Sequence, residues 1–245
     1  MFRNTFLAFI FIIAPSSLAA AENVTAVLEV ADSYRLPSKT ARVEVEVALY
    51  KNGALDKEKK YTVYIHPGRK SLILFRTPGE LGQKAVQDGD RFYMMMPQTK
   101  RPIRISPMQK LLGEASVGDV SSMTWSDDYK GAISEPGADA GKDDGIKLTL
   151  SASRTGVTYE GVELYVSKGQ YKPVKASLYL ESGRIAKDVE YVMGKMNGRD
   201  MVTGIVITDR IQKNRKTVVK YKSIEAAETP DEYYNPEYLA RHNVD

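Results

Sequence analysis

Residues 88–129, DGDRFYMMMPQTKRPIRISPMQKLLGEASVGDVSSMTWSDDY, are the densest meeting of apolar and basic side chains in this chain of 245 residues. Asp88-Gly89 signals a turn, and 91–96 is then a short aromatic and thioether run that stops at Pro97, as a strand does. Alternation along such a strand puts Met94 and Met96 on one face and Met95 on the other. A basic knot follows, Lys100, Arg101 and Arg104, interrupted by Pro102. After Ile105-Ser106-Pro107 the pattern predicts a helical turn through Leu111-Leu112, then a Gly/Ser-rich passage that ends at the single tryptophan, Trp125. Methionine is unbranched and polarizable and repacks around irregular shapes, so three in a row beside Phe92-Tyr93 suit an adaptable apolar surface. A plain core strand is the alternative, since buried methionine is common.

Working outward, the segments on either side read as strands. Residues 41–50 alternate strictly, with Val43, Val45, Val47 and Leu49 on one face and Arg42, Glu44, Glu46 and Ala48 on the other. Asn52-Gly53 predicts a hairpin turn, residues 59–66 supply the returning strand, and 71–77 a third that ends at Pro78. On the far side, 126–145 carries Gly131, Pro136, Gly137, Gly141 and Gly145 and is expected to be exposed loop. A meander is predicted beyond it, with strands at 146–153, 158–167, 174–181, 186–193, 201–209 and 217–224. Ahead of all the strands, Val24, Val27, Leu28 and Ala31 have helical spacing, and Pro37 ends that pattern, so an amphipathic helix is expected over 24–33. Tyr233-Tyr234 and Tyr238-Leu239 make an aromatic tail expected to clamp a barrel edge. Many short antiparallel strands with short connections imply a curved sheet or barrel.

The chain opens with Arg3, an apolar run over 6–14 and the small residues Ala19-Ala20-Ala21. This is the pattern of a secretory signal peptide cleaved before Glu22, and the run is too short to span a bilayer. With no cysteine, neither disulfides nor a lipidated cysteine is available, which suits a soluble periplasmic protein. Loss of residues 1–21 removes one of 35 basic residues against 31 acidic ones and leaves a formal charge of +3. So slight an excess, with both signs interspersed, gives no argument for nucleic acid. Residues 22–245 are enough for one all-β domain, expected to be monomeric.

Catalytic chemistry finds little support. The two histidines, His66 before Pro67 and His242 near the end, lie in no nucleophile or zinc motif. Asp127-Asp128 and Asp143-Asp144 lack the spacing of a calcium loop, and no glycine loop suits a phosphate. No enzyme, metal or cofactor is expected.

Several of these motifs resemble the LolA-like family of outer-membrane lipoprotein-sorting proteins. They are Met95-Met96-Pro97, the run from Lys100 to Ser106, Gly118-Asp119-Val120, Asp127-Asp128-Tyr129, Tyr34-Arg35-Leu36-Pro37, Ser182-Gly183-Arg184 and Thr229-Pro230-Asp231. At 107–112 this chain has Pro-Met-Gln-Lys-Leu-Leu where such proteins are commonly Gly/Ser-rich. The resemblance implies a mainly β fold: an unclosed antiparallel β-barrel of LolA/LppX type whose short helices plug an apolar concave face that shelters acyl chains. It also implies service to an inner-membrane transporter and delivery to an outer-membrane acceptor.

Two readings stay open: a carrier or chaperone of lipoprotein acyl chains or another lipid, and a non-transporting accessory protein with a packed barrel interior. An integral outer-membrane barrel fits worse, because Arg42, Glu44 and Glu46 interrupt any lipid-facing band. For a carrier, the expected groove is lined by Tyr93, Met94 and Met96 from the strand, Ile105 and Met108 after it, and Leu111, Leu112 and Trp125. Lys100, Arg101 and Arg104 are assigned to partner docking, against the plainer reading of a solvated loop.

Overall fold

The computed structural model describes residues 16–121, 124–134, 145–208 and 214–244, with side chains from Val24 onward. The apolar run 6–14 and Asp143-Asp144 lie outside the described residues. The backbone of the first helix, α1 (Ser16–Ser33), runs through the expected cleavage site.

The strands that follow are β1 (Ala41–Lys51), β2 (Ala54–His66), β3 (Lys70–Phe75), β4 (Lys84–Asp88), β5 (Arg91–Met95), β6 (Ile103–Ile105), β7 (Lys110–Leu112) and β8 (Ala115–Ser116). After α2 (Val117–Ser121) come β9 (Tyr129–Ser134), β10 (Gly145–Ala152), β11 (Gly161–Ser167), β12 (Pro173–Tyr179), β13 (Ile185–Met196), β14 (Arg199–Thr208), β15 (Arg215–Glu225) and α3 (Pro236–Arg241). All but β7 and β8 form one antiparallel sheet of 13 strands, in the order β6-β5-β4-β3-β2-β1-β15-β14-β13-β12-β11-β10-β9. The sheet is open, ending at β6 and β9, and β7 pairs only with β8.

Local sequence explains most of these elements. Along β1 the residues Val43, Val45 and Val47 are buried while Arg42, Glu44 and Glu46 are half-buried on the opposite face. Asn52 and Gly53 both take positive φ, 51° and 81°, as the β1–β2 hairpin requires. The inner face is covered by α1, which buries Val24, Val27, Leu28 and Ala31, and by the segment 106–128. Full burial of such a Val or Leu is worth roughly 1.5–3 kcal/mol each, so packing, not propensity, holds α1 in place.

Where β2–β5 run, the outer face is covered as well. Tyr234, Leu239 and Val244 pack on Tyr64, Leu72, Leu74, Val86 and Met95. That is why the β3 sequence Ser-Leu-Ile-Leu-Phe is apolar on both faces. The expected clamp on an edge is therefore a cover on the outer face. The buried Lys84 ammonium fixes it by donating to the carbonyls of Leu239 (3.1 Å) and His242 (2.8 Å) at the end of α3.

Two local expectations are corrected. Leu111 and Leu112 lie in a strand, not a helical turn, because a two-residue apolar run has no readable period and the turn at Gly113-Glu114 closes a hairpin. Gly131 lies inside β9 rather than in a loop. A Cβ there would fall 2.0 Å from the Thr149 carbonyl oxygen, so this glycine serves close strand approach, not a turn.

Candidate functional site

The inner face is apolar, and its cover is attached in an unusual way. From Ser106 to Ser126 the backbone makes a single backbone hydrogen bond to the 13-stranded sheet among the described residues, where the Tyr129 amide at the start of β9 donates to the Trp125 carbonyl (2.9 Å); its others, such as Val117 N–H to the Gln109 carbonyl, are internal. Leu111, Leu112, Ala115, Val117, Val120 and Trp125 bury their side chains against the inner face instead. The segment is thus a plug, docked by side chains on a sheet complete without it.

Besides the Lys59 ammonium on the Leu111 carbonyl (3.1 Å) and the Glu114 amide on Thr217 Oγ1 (3.0 Å), three polar contacts tie this plug down. The first is buried: Lys187 of β13 donates to Asp119 Oδ2 at 2.5 Å, and Asp119 also accepts from the Ser116 amide (2.7 Å), Ser116 Oγ (2.8 Å) and the Tyr159 hydroxyl (2.6 Å). Lys187 is only 1% exposed, and a carboxylate beside it satisfies the ammonium that burial alone would expel. Burial pushes the Tyr159 phenol well above its usual range, aided by the Asp119 charge. Asp119 is the acceptor, so this hydroxyl remains a donor.

The second contact joins the plug to α1. Asp32 accepts from the amides of Trp125 and Ser126 and from Ser126 Oγ, each at 2.8 Å. Burial pushes its carboxyl up to about 6, a rise that the Arg35 charge and these hydrogen bonds restrain. The third is Arg69 in the β2–β3 turn, which donates to the carbonyls of Thr155 (3.0 Å) and Gly156 (2.8 Å) and lies 3.3 Å from Asp128.

Packing under the plug is tight. An interior cavity of about 50 Å³ is lined by Arg35, Gly118, Asp119, Trp125, Thr158, Tyr159 and Tyr191, among others. A Cβ on Gly118 would fall 2.1 Å from Thr158 Oγ1, so only glycine lets the plug seat at this depth. Outside it lies a mouth pocket of about 610 Å³, lined by polar side chains including Lys39, His66, Arg69, Lys70 and Asp127. Thr124 and Asp128 line both spaces and form the partition between them. Chemically, the buried Ser116, Asp119 and Lys187 saturate one another. Among the described residues no cluster of His, Asp or Glu could hold a metal, and no described helix is long and apolar enough to cross a membrane.

A family model described as "Uncharacterized protein" matches residues 67–241. Over 89% of this chain and 99% of the other, the structure resembles a LolA superfamily protein from Nitrosomonas europaea, at 25% identity and a TM-score of 0.77. The chain belongs to the LolA-like family. A domain from Vibrio parahaemolyticus described as an outer membrane lipoprotein-sorting protein shares the fold at 16% identity and a TM-score of 0.68, over 90% of this chain and 100% of that one. A DUF1329 family protein from Desulfovibrio piger does so at 18% identity and 0.67, over 90% and 99%. No curated protein matches the chain.

In this LolA-like chain, six of the eight expected groove residues come together. Leu111, Leu112 and Trp125 are buried in the inner core, and Met94, Ile105 and Met108 pack against it half-buried. Tyr93 and Met96 do not join them. Strand alternation places Tyr93 on the outer face with the C-terminal tail, and β5 ends at Met95, so Met96 lies beyond the pleat and lines an outer pocket with Leu239 and His242. Lys100, Arg101 and Arg104 are all exposed, the last on edge strand β6 opposite Tyr93, and none forms an ion pair among the described residues.

The polar ties were read only as motif letters. Lys187 carried a usable signal, since it shares the period-2 inner face with Val189 and Tyr191, and a lysine in such a row needs a buried partner. Nothing in sequence named that partner as Asp119, 68 residues away.

Proposed function

We propose that this LolA-like chain is a periplasmic, non-enzymatic carrier or chaperone. Its cargo is lipoprotein acyl chains or another lipid, bound on the inner face when the plug lifts. The observation that supports this most is the attachment of the plug chiefly by side chains, its one described backbone hydrogen bond to the sheet being that of Trp125 with Tyr129 at the start of β9. Shelter of this kind is what acyl transfer through water demands, because each exposed methylene costs about 0.8 kcal/mol. In this reading residues 1–21 are a cleaved signal and 22–245 one carrier domain. Met94, Ile105, Met108, Leu111, Leu112 and Trp125 line the opened groove, and the exposed Lys100, Arg101 and Arg104 face an inner-membrane transporter or an outer-membrane acceptor. Cargo moves toward the outer membrane.

The small interior cavity, about 50 Å³, favours a second reading, an accessory protein whose packed interior never opens. The absence of cysteine makes a clean test of the two. A Cβ on Gly113 would lie 3.5 Å from Thr217 Cβ, within disulfide reach of β15. Oxidised Gly113→Cys/Thr217→Cys protein should fail to bind a fluorescent acyl probe, and reduction should restore binding. Equal binding in both states, or mass spectra of gently purified wild type that show no retained lipid, would favour the packed-interior protein.

A further inference from the structure

Arg35 follows α1 and is only 6% exposed. Its guanidinium lies over the Trp125 ring at 4.0 Å from the centroid and 5.9 Å from that of Tyr191, and it lines the interior cavity. Among the described residues it donates no hydrogen bond and forms no ion pair. The buried charges nearby spend their hydrogen bonds elsewhere, and the Asp32 carboxylate meets the Arg35 guanidinium only through its charge, with no hydrogen bond or ion pair between the two side chains. Asp32 accepts from Trp125 and Ser126, Asp119 from Lys187, Tyr159 and Ser116, and Asp128 faces Arg69.

Magnitudes decide whether the aromatic faces explain such a cation. A desolvated cation–π contact is worth about 2 kcal/mol or somewhat more, whereas each hydrogen bond to a charged group is worth about 1.5–3 kcal/mol and a guanidinium has five donors. The rings therefore leave most of the recognition capacity of Arg35 unused. Nor is it far from the outside, because the partition residues Thr124 and Asp128 adjoin Trp125 and Tyr129 and face the mouth pocket.

We infer that Arg35 is the recognition site for an anionic oxygen headgroup, the carboxylate or phosphate of an acyl lipid, which takes the place of Trp125 over the guanidinium when the plug lifts. This rests on the carrier reading and narrows it: the cargo is an acidic amphiphile. A neutral ester or hydroxyl head can accept a hydrogen bond from Arg35 but brings no opposite charge, so it gains less there to offset the loss of the indole. A planar, delocalised guanidinium also grips such oxygens two at a time, which an ammonium cannot do.

The experiment measures binding of two matched pairs of probes to the full exported chain. One is a fluorescent fatty acid and its methyl ester; the other is a lysophosphatidate and the monoacylglycerol of the same chain length. At least about tenfold tighter binding of the acidic member in either pair is expected, and the pair that shows it assigns carboxylate or phosphate. Arg35→Gln should abolish that preference while leaving the neutral probe's affinity unchanged, and Arg35→Lys should keep part of it. Equal affinity for acidic and neutral members in the wild-type chain, which needs no variant to fold, overturns the inference and leaves the carrier reading standing. An equal loss for both members in Arg35→Gln overturns it too, by making Arg35 a support for the plug. Failure of all four probes to bind overturns the carrier reading and this one together.

Discussion

Lys187→Met tests the assignment of Lys187–Asp119 as the tie between plug and sheet. The substitution keeps most of the side-chain volume and removes only the charge, leaving the Asp119 carboxylate in a site where it is 8% exposed. Removing one partner of a buried pair costs about 3–5 kcal/mol. Asp119 retains donors at Ser116 and Tyr159, so the low end applies, about 3 kcal/mol. For a chain of this size that lowers the melting temperature by roughly 6–12 °C. Lys187→Met with Asp119→Asn should be more stable than Lys187→Met alone, since the amide carbonyl still accepts from Ser116 and no uncompensated charge is left. Urea titration followed by the fluorescence of Trp125, the single tryptophan and part of the plug, reads both. A cost below about 1 kcal/mol for the single variant, or a double variant whose cost is the sum of the two singles, would refute the assignment.

The raised carboxyl of Asp32 predicts a pH dependence of definite sign. With a folded value of about 6 against 3.8, the folded chain holds this proton more tightly than the unfolded one, so stability falls as pH rises from about 4 to about 6 and is level above that. The total is about 3 kcal/mol. Asp32→Asn should lack this component, and the difference between wild-type and variant stability curves isolates it from other groups; a flat difference would show that Asp32 ionises normally. Gly118→Ala, with its Cβ driven onto Thr158, should cost about 1–3 kcal/mol and speed hydrogen exchange across 107–121 more than across β1, and uniform exchange would count against a separately docked plug. Replacement of Lys100, Arg101 and Arg104 by Gln should slow acyl transfer to acceptor membranes and flatten its salt dependence while sparing probe binding; an unchanged transfer rate would remove the docking role.

Most of the fold was legible because its signals are local. Strict alternation in 41–50, Asn52-Gly53 and the turn pairs between 145 and 225 fix strands and hairpins without reference to distant residues, and the resemblance gave the open barrel and its plug. What escaped has a physical reason. The strands β4 and β6 are only five and three residues long, and β6 is bracketed by Pro102 and Pro107. In β9 all but Tyr129 and Ser134 are exposed, so it has no apolar row to read.

The amino-acid sequence by itself determined which residues are apolar and at what period. From that follow the class of fold, the crowding of Met94, Ile105, Leu111, Leu112 and Trp125 into one stretch of chain, and the lack of catalytic motifs. Only the tertiary structure decided which face Tyr93 and Met96 occupy, that the tail covers the outer face through Lys84, and which charges meet. Alternation reports that a lysine such as Lys187 points inward but carries no information about what it meets. Ion pairs and cation–π contacts such as Lys187–Asp119 and Arg35–Trp125 join residues 68 and 90 positions apart. They exist only because the curving sheet and its plug bring those positions together.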